Sequence, residues 1–549
     1  MYKNTLRNIL FPILLAVAVV AGLLLGAFFR KSSAPGGGTG IVSRASAPAG
    51  AESKITRLFS MINAAYLDPV SFDSITEVIM PLIVGELDPH SVYIPAQQYD
   101  RVNEDLIGEF GGIGVKFNMV TDTAVVVNVI PGGPSEKAGV EPGDRIIEVD
   151  GTQIAGNRTN QNDVMKLLRG KQGSQVELSL LRAGEPERVP VTVTRGQVPV
   201  SSVTAAFELE PTIAYVKLDQ FSRTSDTEIA AALSRMREEG VGKVILDLRG
   251  NKGGYLDQAI KIANDFLPDG KLIVYTENKD KRRVEEYSDG RGRFKDMELV
   301  VLIDEDSASS SEILAGALQD NDRGAIIGRR SFGKGLVQEQ VQFYDGSAVR
   351  LTIARYFTPT GRSIQKPYTS NSEDYYMDMF ERYMHHEYFS ADSIRFADSL
   401  KYTTPGGRTV YGGGGIMPDI FVPLDTTYIN NFLLRVLDVS GNRNILYRYA
   451  LKYSDDHRAR INAISTVREL RSFLDSDPAL FDDFVKYAAT WGVKPTKEEL
   501  ELSRDVITAR LRAQIGMNTR LDDIGYYSNI YKVDNTITRA IEVLNGDEW

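Results

Sequence analysis

The spacing of apolar residues changes along the chain and marks segments of different structure. Residues 9–29 form an uncharged apolar run, and residues 32–52, rich in Ser, Ala, Pro and Gly, have too few large apolar side chains to pack. Apolar residues then recur at helical spacing, which predicts a small helical segment at residues 53–104. Residues 105–197 contain short runs typical of strands, with one predicted helix at residues 163–168.

Strand-like and helix-like runs alternate through residues 198–425. Predicted strands lie at residues 243–248, 272–275, 299–303 and 325–327, and predicted helices at residues 256–267 and 312–318. Such alternation predicts βαβ units, with ligands binding beyond the carboxyl ends of the strands. Residues 426–549 return to helical spacing with many charges. The fold class predicted is therefore multidomain α/β and α+β, with helical regions at both ends.

The apolar run at residues 9–29 has the length of a membrane-spanning helix. Its 21 residues would extend about 31 Å at 1.5 Å per residue, close to a hydrocarbon core of roughly 30 Å. Phe28, Phe29, Arg30 and Lys31 occupy the place where a cleaved signal peptide has small residues. We therefore expect residues 1–31 to be an uncleaved membrane anchor, followed by a flexible linker at residues 32–52. Basic residues on both sides of the run leave its orientation open.

Length, charge and composition exclude several classes of protein. A chain of 549 residues is too long for one core, which stops growing near roughly 250–300 residues. The net charge is −10 and the basic residues are scattered, so we expect no nucleic acid partner. The chain has no cysteine, which removes thiol nucleophiles, disulfides and thiolate metal sites. We expect neither a cofactor nor a metal site.

Two motifs in residues 105–197 resemble the PDZ family: the loop Gly112-Ile113-Gly114-Val115 and the stretch PGGPSEKAGVEPGDRII at residues 131–147. PDZ domains add an extended peptide to a sheet edge and bind its terminal carboxylate with backbone N–H groups. Gly112 and Gly114 suit such a close backbone approach, although a tight turn before a strand would also use them. The resemblance assigns the loop to peptide binding, and we call residues 105–197 the PDZ module.

Arg169 follows the helix predicted for the PDZ module. The resemblance implies that this arginine links peptide binding to activation. A solvated cation at a helix end is the alternative, and the residues alone leave both interpretations open.

Three further motifs carry groups suited to catalysis. The turns DLRGNKGG at residues 247–254 and DSASSSE at residues 306–312 each follow a predicted strand, and SFGKGLVQ occupies residues 331–338. A serine becomes a nucleophile with a lysine as base only if burial keeps the lysine neutral, and Lys334 lies in an apolar neighbourhood. None of the four histidines lies in a triad-like or H-E-x-x-H context. Ser309 and Glu312 also fit the S-x-x-E pattern of a helix capping box, which remains an alternative.

Taken in order, these motifs closely resemble the C-terminal processing peptidases, also called tail-specific proteases, over about residues 88–419. The resemblance implies that Ser309 is the nucleophile, Lys334 the general base and Gln338 the residue that orients the lysine. It implies an oxyanion hole made of the N–H groups of Gly254 and Ser310, the family usually having alanine in place of Ser310. It also implies a supporting role for Asp320.

The same resemblance implies a peptidase core at residues 198–425 and polypeptide substrates with a free C-terminus. It places the chain in a bacterial inner membrane by a single N-terminal span, with its catalytic part facing the periplasm. A homodimer is a further expectation, with the C-terminal helical region at residues 426–549 as its interface.

Gln338 poses a geometric problem, because four residues of straight strand would place it about 13 Å from Lys334. Direct contact needs a bend, for which Gly335 is the candidate. Two other functions are compatible with parts of the sequence. A catalytically silent PDZ scaffold is disfavoured by the intact Ser309, Lys334 and Gln338, and an amidase or esterase acting on small molecules is disfavoured by the PDZ module.

Overall fold

The computed structural model describes residues 51–119, 122–368, 372–438 and 443–547. The chain divides into two compact units, residues 1–76 and residues 77–549. The predicted membrane anchor and nearly all of the predicted linker lie outside the described residues. No helix in the described part of the chain combines the length and the apolar character that a bilayer-spanning segment needs.

The segment predicted to be helical contains three helices and one strand that was not predicted. They are α1 (Ala51–Ala65), α2 (Phe72–Gly85), β1 (Val92–Ile94) and α3 (Ala96–Ile107). Strand β1 is three residues long, too short for a periodic pattern, and it forms because it pairs antiparallel with a later strand from Ala348 to Arg350. Tertiary contact therefore decides its conformation.

The PDZ module is a small β-structure with two helices. Its elements are β2 (Glu109–Gly112), β3 (Val115–Asn118), β4 (Ala124–Val129), α4 (Pro134–Lys137), β5 (Arg145–Val149), β6 (Thr152–Gln153), α5 (Gln161–Leu168), β7 (Gln175–Leu181), β8 (Val189–Thr194) and β9 (Gly196–Pro199). One sheet has the order β3-β4-β5-β7-β8, with β6 paired to β5, and β2 pairs with β9. Strand β3 is therefore an edge strand, which leaves one row of its backbone groups available for pairing.

The peptidase core contains two sheets of different kinds. Its elements are β10 (Val203–Glu210), β11 (Ile213–Leu218), α6 (Ser225–Glu238), β12 (Lys243–Asp247), α7 (Leu256–Phe266), β13 (Leu272–Asn278), β14 (Arg283–Tyr287), β15 (Glu298–Ile303), α8 (Ser310–Asp320), β16 (Ala325–Gly328), β17 (Leu336–Gln342), β18 (Ala348–Phe357), α9 (Ser372–Met384), β19 (Lys401–Thr403), β20 (Thr409–Tyr411) and β21 (Ile420–Phe421). Two 3₁₀ turns, Ala391–Ser393 and Asp398–Leu400, precede β19.

The first of these sheets, which we call the parallel sheet, has the order β10-β11-β12-β15-β16-β21 and is parallel except for β10. This confirms the α/β prediction for the core. The second, antiparallel sheet has the order β1-β18-β13-β14, with β17 also paired to β18. The prediction that residues 272–275 belong to the βαβ series is wrong, because β13 pairs antiparallel with β14 and β18.

The C-terminal region is helical, as predicted. Its helices are α10 (Asn431–Leu437), α11 (Ile445–Asp456), α12 (Arg458–Ala463), α13 (Val467–Asp475), α14 (Leu480–Thr490), α15 (Lys497–Met517), α16 (Asp523–Ile530) and α17 (Asn535–Leu544), with a 3₁₀ turn at Tyr531–Val533. Ile537 and Leu544 of α17 pack against Ile245 and Leu302 of the parallel sheet. The opposite face of that sheet packs against α6, α7 and α8, so helices cover it on both sides.

Candidate active site

Ser309 lies at the turn between strand β15 and helix α8. Its backbone has φ 55° and ψ −113°, a conformation that few residues other than glycine adopt. A serine on a strained strand-to-helix turn is a recurrent way of exposing a nucleophile at the end of a sheet. Every residue of α8 is buried, so the helix behind this serine is fixed by the core.

The glycine-rich turn after β12 lies directly against Ser309. A Cβ atom on Gly253 would stand 2.8 Å from the Ser309 Cβ, so a residue with a side chain would not fit there. The Ser310 hydroxyl donates to the Gly254 carbonyl at 2.9 Å, and the Ala308 N–H donates to the Asn251 carbonyl at 3.0 Å. The two turns singled out in the sequence are therefore joined by hydrogen bonds at the carboxyl end of the parallel sheet.

The backbone N–H groups of Gly254 and Ser310 have no acceptor among the described residues. A Cβ on Gly254, whose φ is +149°, would lie 2.2 Å from the Phe221 carbonyl oxygen, which makes glycine necessary at this close approach. Ser310 is the first residue of α8, where the helix dipole favours negative charge. The pair is suited to binding an oxyanion beside Ser309.

Lys334 is a partly buried lysine in the loop that leads into β17. Burial, assisted by the positive charge of Arg350, lowers its pKa from 10.5 to about 8 against the opposing effects of Glu312 and Asp88. A substantial neutral fraction is what a lysine base requires near neutral pH. Its Nζ donates to Gln338 Oε1 at 2.8 Å.

The contact between Lys334 and Gln338 depends on a bend in the chain, but this bend lies within β17 and not at Gly335. Strand β17 begins only at Leu336, and a register shift in its pairing with β18 falls between Val337 and Gln338. Lys334 therefore stands before the strand, and the bulge turns Gln338 back towards it.

The Gln338 amide is oriented by a turn from a distant part of the chain. Its Nε2 donates to the His90 carbonyl, so Oε1 faces Lys334. The Asp88 carboxylate holds that turn by accepting from the N–H groups of His90 and Ser91, each at 2.8 Å. Asp88 thus fixes the His90 carbonyl, which fixes the amide that accepts from the lysine.

Glu312 connects the serine turn to the lysine loop. Its buried carboxylate accepts from the N–H groups of Ser309 (2.9 Å), Gly333 (2.7 Å) and Lys334 (2.8 Å) and from the Ser331 hydroxyl (2.5 Å). Burial raises its pKa, while these donors favour the charged form. The arrangement is that of a capping box, but the Ser309 hydroxyl itself makes no hydrogen bond of normal geometry to the helix.

The site is built across the two sheets of the core. Ser309 and Gly254 follow strands of the parallel sheet. Gln338 lies in β17 of the antiparallel sheet, Lys334 in the loop before β17, and His90 in the turn before β1. The fully buried Tyr356 of β18 joins the two halves, because its hydroxyl contacts the Ser309 carbonyl at 3.1 Å and the Lys334 carbonyl at 2.6 Å.

The fold thus brings the serine turn and the lysine loop together. Among the described residues, however, the hydrogen bond expected between the Ser309 hydroxyl and Lys334 Nζ is not formed, and the Lys334 ammonium donates to Gln338. Catalytic hydrogen bonds are often long in proteins without substrate and shorten in the reacting complex.

Comparisons with known proteins match three parts of the chain to described families. Residues 212–372 match the family described as Peptidase family S41, residues 111–193 match the PDZ domain, and residues 440–519 match a family of unknown function. A probable CtpA-like serine protease of Staphylococcus haemolyticus is 30% identical over 354 residues, which cover 63% of this chain and 70% of that protein. The chain belongs to peptidase family S41.

Two further matches differ in the share of the other protein that is covered. A probable CtpA-like serine protease of Staphylococcus aureus strain bovine RF122 / ET3-1 is 34% identical over 313 residues, which cover 57% of this chain and 62% of the relative. The chain therefore spans less than two thirds of that relative. The solved photosystem II D1 C-terminal processing protease is 27% identical, with a TM-score of 0.36, over 67% of this chain and 86% of the other.

Asp320, which the family resemblance marks as supporting, lies at the far end of α8 from Ser309. Its carboxylate forms an ion pair with Arg362 at 2.7 Å, with both side chains fully buried, and accepts from the Thr360 hydroxyl at 2.6 Å. An α-helix of this length places Asp320 about 16 Å from the serine. In this S41 chain Asp320 therefore holds the loop after β18 and does not contact the reacting groups.

The predicted peptide-binding residues form a separate site in the PDZ module. The N–H groups of Ile113 and Gly114 have no acceptor among the described residues, as a carboxylate-binding loop requires, while Gly112 ends β2 and Val115 begins β3. Arg169 lies over the Phe110 ring at 4.4 Å and forms an ion pair with Glu104 of α3. Arg169 thus joins the PDZ module to α3, with its side chain one third exposed.

Sequence reasoning missed three residues that build the site. In the sequence Glu312 belongs only to a capping pattern, Asp88 only marks a boundary of the family resemblance, and Tyr356 belongs to no motif. A signal existed for the first, because an acidic residue in a fully buried helix must have polar partners. Tyr356 lies in an ordinary β-strand pattern that carries no such signal.

Proposed function

We propose that this chain is a serine endopeptidase that processes the C-terminal ends of polypeptides, with Ser309 as nucleophile and Lys334 as general base. The observation that supports this most is a lysine whose pKa burial lowers to about 8, connected through Glu312 to the backbone of a strained serine turn. A helix cap alone needs neither the lysine nor the backbone strain.

In the proposed reaction the Ser309 oxygen attacks the carbonyl carbon of the scissile peptide while its proton passes to neutral Lys334. The carbonyl oxygen becomes an oxyanion, bound by the N–H groups of Gly254 and Ser310. Such donors are already aligned before reaction, and losing one typically costs about 10²–10³ in kcat.

The intermediate then collapses, and the Lys334 ammonium donates its proton to the leaving amine. An ester joins the substrate acyl group to Ser309 until Lys334, neutral again, deprotonates a water that attacks the ester carbonyl. The bond from that carbon to the Ser309 oxygen then breaks, the Lys334 ammonium returns a proton to this oxygen, and the carboxylic acid product leaves. Gln338 has a positioning role, because its Oε1 accepts one lysine N–H and so directs the nitrogen lone pair. Attack requires the lone pair of Lys334 Nζ to face the Ser309 hydroxyl while the hydrogen bond to Gln338 is kept.

In this proposal the PDZ module selects the substrate. A protein tail adds to the edge of β3, and its free carboxylate accepts from the N–H groups of Ile113 and Gly114. Arg169 transmits occupancy through its contacts with Phe110 and Glu104. We further propose that the substrates are exported proteins and that residues 9–29 anchor the chain in a bacterial inner membrane, with the catalytic part facing the periplasm.

Incubation of the purified chain with an unfolded protein substrate tests the proposal. We expect cleavage by the natural chain and none by Ser309→Ala, at equal folded content by circular dichroism. Equal cleavage by both would refute the assignment of the nucleophile. A chain that hydrolyses small esters but no polypeptide would contradict the substrate class, and one that binds peptides without cleaving them would contradict catalysis.

A further inference from the structure

A cavity of about 550 Å³ lies between the PDZ module and the C-terminal helical region, both in the second unit of the chain. Its PDZ wall is made by edge strand β3 and helix α5, where Phe117 and Met165 line it. The opposite wall includes Tyr447 of α11, Met517 of α15 and Asp522 before α16. Pockets that bind ligands have volumes of roughly 300–1,000 Å³. The groove in which a PDZ domain adds a peptide strand therefore has an outer wall made by another region.

This outer wall is fixed to the PDZ module by polar and apolar contacts. Lys116 of β3 forms ion pairs with Asp522 and, at 2.9 Å, with Asp523. Arg145 of β5 pairs with Asp455 of α11 at 2.6 Å. A small apolar cluster, made of Val125, Tyr447 and Leu451, lies beside these ion pairs. The contacts hold the C-terminal helical region in place along the groove.

Two polar atoms of the outer wall have unmet hydrogen-bonding capacity. Tyr447 is only 8% exposed, and within the described residues its hydroxyl has no hydrogen-bond partner. Asp522 Oδ1 likewise has no partner of normal geometry among the described residues, although a weaker hydrogen-bonding contact with Asn128 lowers the pKa of this carboxyl against the effect of burial. Buried polar atoms are normally paired, and an unpaired one in a cavity indicates a ligand that supplies the missing partner.

The charges of this wall indicate which partner fits. Asp522 and Asp523 together carry two negative charges against the single positive charge of Lys116. A carboxylate oxygen only accepts hydrogen bonds, so the missing group is a donor, and a cationic donor also balances the charge. Lysine or arginine side chains meet both conditions.

The position of that side chain follows from the direction of the added strand. If the carboxylate binds at Ile113 and Gly114, the tail runs antiparallel to β3, with its last residue beside Val115. Its second to fourth residues from the end then lie beside Lys116, Phe117 and Asn118. Asp522 contacts Lys116, so it faces this part of the tail.

We propose that the C-terminal helical region binds the substrate tail directly, with Tyr447 and Asp522 selecting a lysine or arginine at the second to fourth position from the free carboxylate. This inference rests on the tail recognition by the PDZ module proposed above. It assigns a specificity-determining role to a region whose match is to a family of unknown function.

The test uses the full chain carrying Ser309→Ala, so that peptides bind without being cleaved. The probe is an equimolar mixture of octapeptides with free carboxyl ends, having Lys, Glu, Leu or Ser at each of the second to fourth positions from the end. Retained peptides are quantified by mass spectrometry. We expect lysine peptides to be retained at least tenfold better than glutamate peptides, as a charge-assisted hydrogen bond implies.

Asp522→Asn should abolish the lysine preference, and Tyr447→Phe should weaken binding of the best peptide about two- to tenfold. The melting temperature should not fall in Tyr447→Phe, because the hydroxyl has no partner to lose. Asp455→Asn is the matched control: it changes the same interface outside the cavity lining and should keep the preference.

The remaining outcomes separate this inference from the proposed function. If neither Asp522→Asn nor Tyr447→Phe changes retention while amidated peptides are lost, carboxylate capture stands and the role of the outer wall is refuted. If amidated and free peptides are retained equally, carboxylate capture is refuted. Asp455→Asn could also lose as much lysine preference as Asp522→Asn. The preference would then depend on the interface between the PDZ module and the C-terminal helical region, and direct contact of Asp522 with the peptide would be refuted.

Discussion

Replacing the proposed base by an apolar side chain should stabilise the protein while abolishing its activity. Lys334→Met keeps the length and flexibility of the side chain but removes the charge. The folded state lowers the lysine pKa from 10.5 to about 8, and each unit corresponds to about 1.36 kcal/mol. At pH 7 the charged lysine therefore destabilises the fold by about 3 kcal/mol, with burial as the main cause.

Part of this gain is offset by the lost hydrogen bond to Gln338, which contributes about 1 kcal/mol. The net stabilisation at pH 7 is then about 2 kcal/mol, a rise of roughly 4–8 °C in the unfolding midpoint of a domain of this size. The sign depends on pH. Below pH 8 lysine is protonated in both states and the full cost is present, whereas above pH 10.5 it is neutral in both and the cost vanishes.

Differential scanning calorimetry of both chains in a Ser309→Ala background, which prevents self-digestion, measures this difference at pH 7 and pH 10. Lys116→Met is the control, since its ion pairs with Asp522 and Asp523 raise the pKa of Lys116 against the effect of burial. That variant should be less stable than the parent. A Lys334→Met chain no more stable than its parent at pH 7, or a gap that does not shrink towards pH 10, would show that Lys334 carries no such cost.

Three further predictions concern catalysis and tail binding. kcat/KM should rise about tenfold per pH unit below pH 8 and level off above it, because only neutral Lys334 accepts the serine proton. A flat profile of kcat/KM from pH 6 to pH 9 would exclude the lysine as base. In steady-state kinetics, Gly254→Ala should lower kcat by about 10²–10³, because the new Cβ would stand 2.2 Å from the Phe221 carbonyl oxygen and displace the Gly254 N–H. Gly250→Ala in the same turn is the control and should lower kcat far less, because there is open space around its Cβ. Amidation of a peptide tail should weaken its binding roughly 10- to 100-fold by calorimetry, and matching dissociation constants would contradict carboxylate capture by Ile113 and Gly114.

The sequence predicted best those parts of the fold whose burial is simple. Strands such as β12 and β15 lie inside the parallel sheet, covered by helices on both faces, so they appear as continuous apolar runs. The turns after them carry the serine and the glycine donor, and chain order places both at one sheet edge. Ser309, Gly254 and Lys334 could therefore be singled out from the residues and the family resemblance.

What the sequence did not predict depends on contacts between distant segments. The bulge at Gln338 arises from the pairing of β17 with β18, and the carbonyl that orients Gln338 comes from His90, 248 residues earlier in the chain. Strand β13 gave an apolar pattern that is the same for parallel and antiparallel neighbours. The packing of α17 on the parallel sheet likewise joins segments that apolar spacing alone does not relate.

The division of the proposed dyad between two sheets has a consequence for how such an enzyme is inhibited. Its nucleophile and base are held in register mainly by Glu312 and Tyr356, which span the seam between the sheets. A compound that enters this seam and separates the sheets by about one ångström would silence catalysis while leaving Ser309 uncovered. Reactivity of Ser309 towards an electrophilic probe therefore reports the alignment of the two sheets, and such a probe would identify inhibitors that never occupy the substrate cleft.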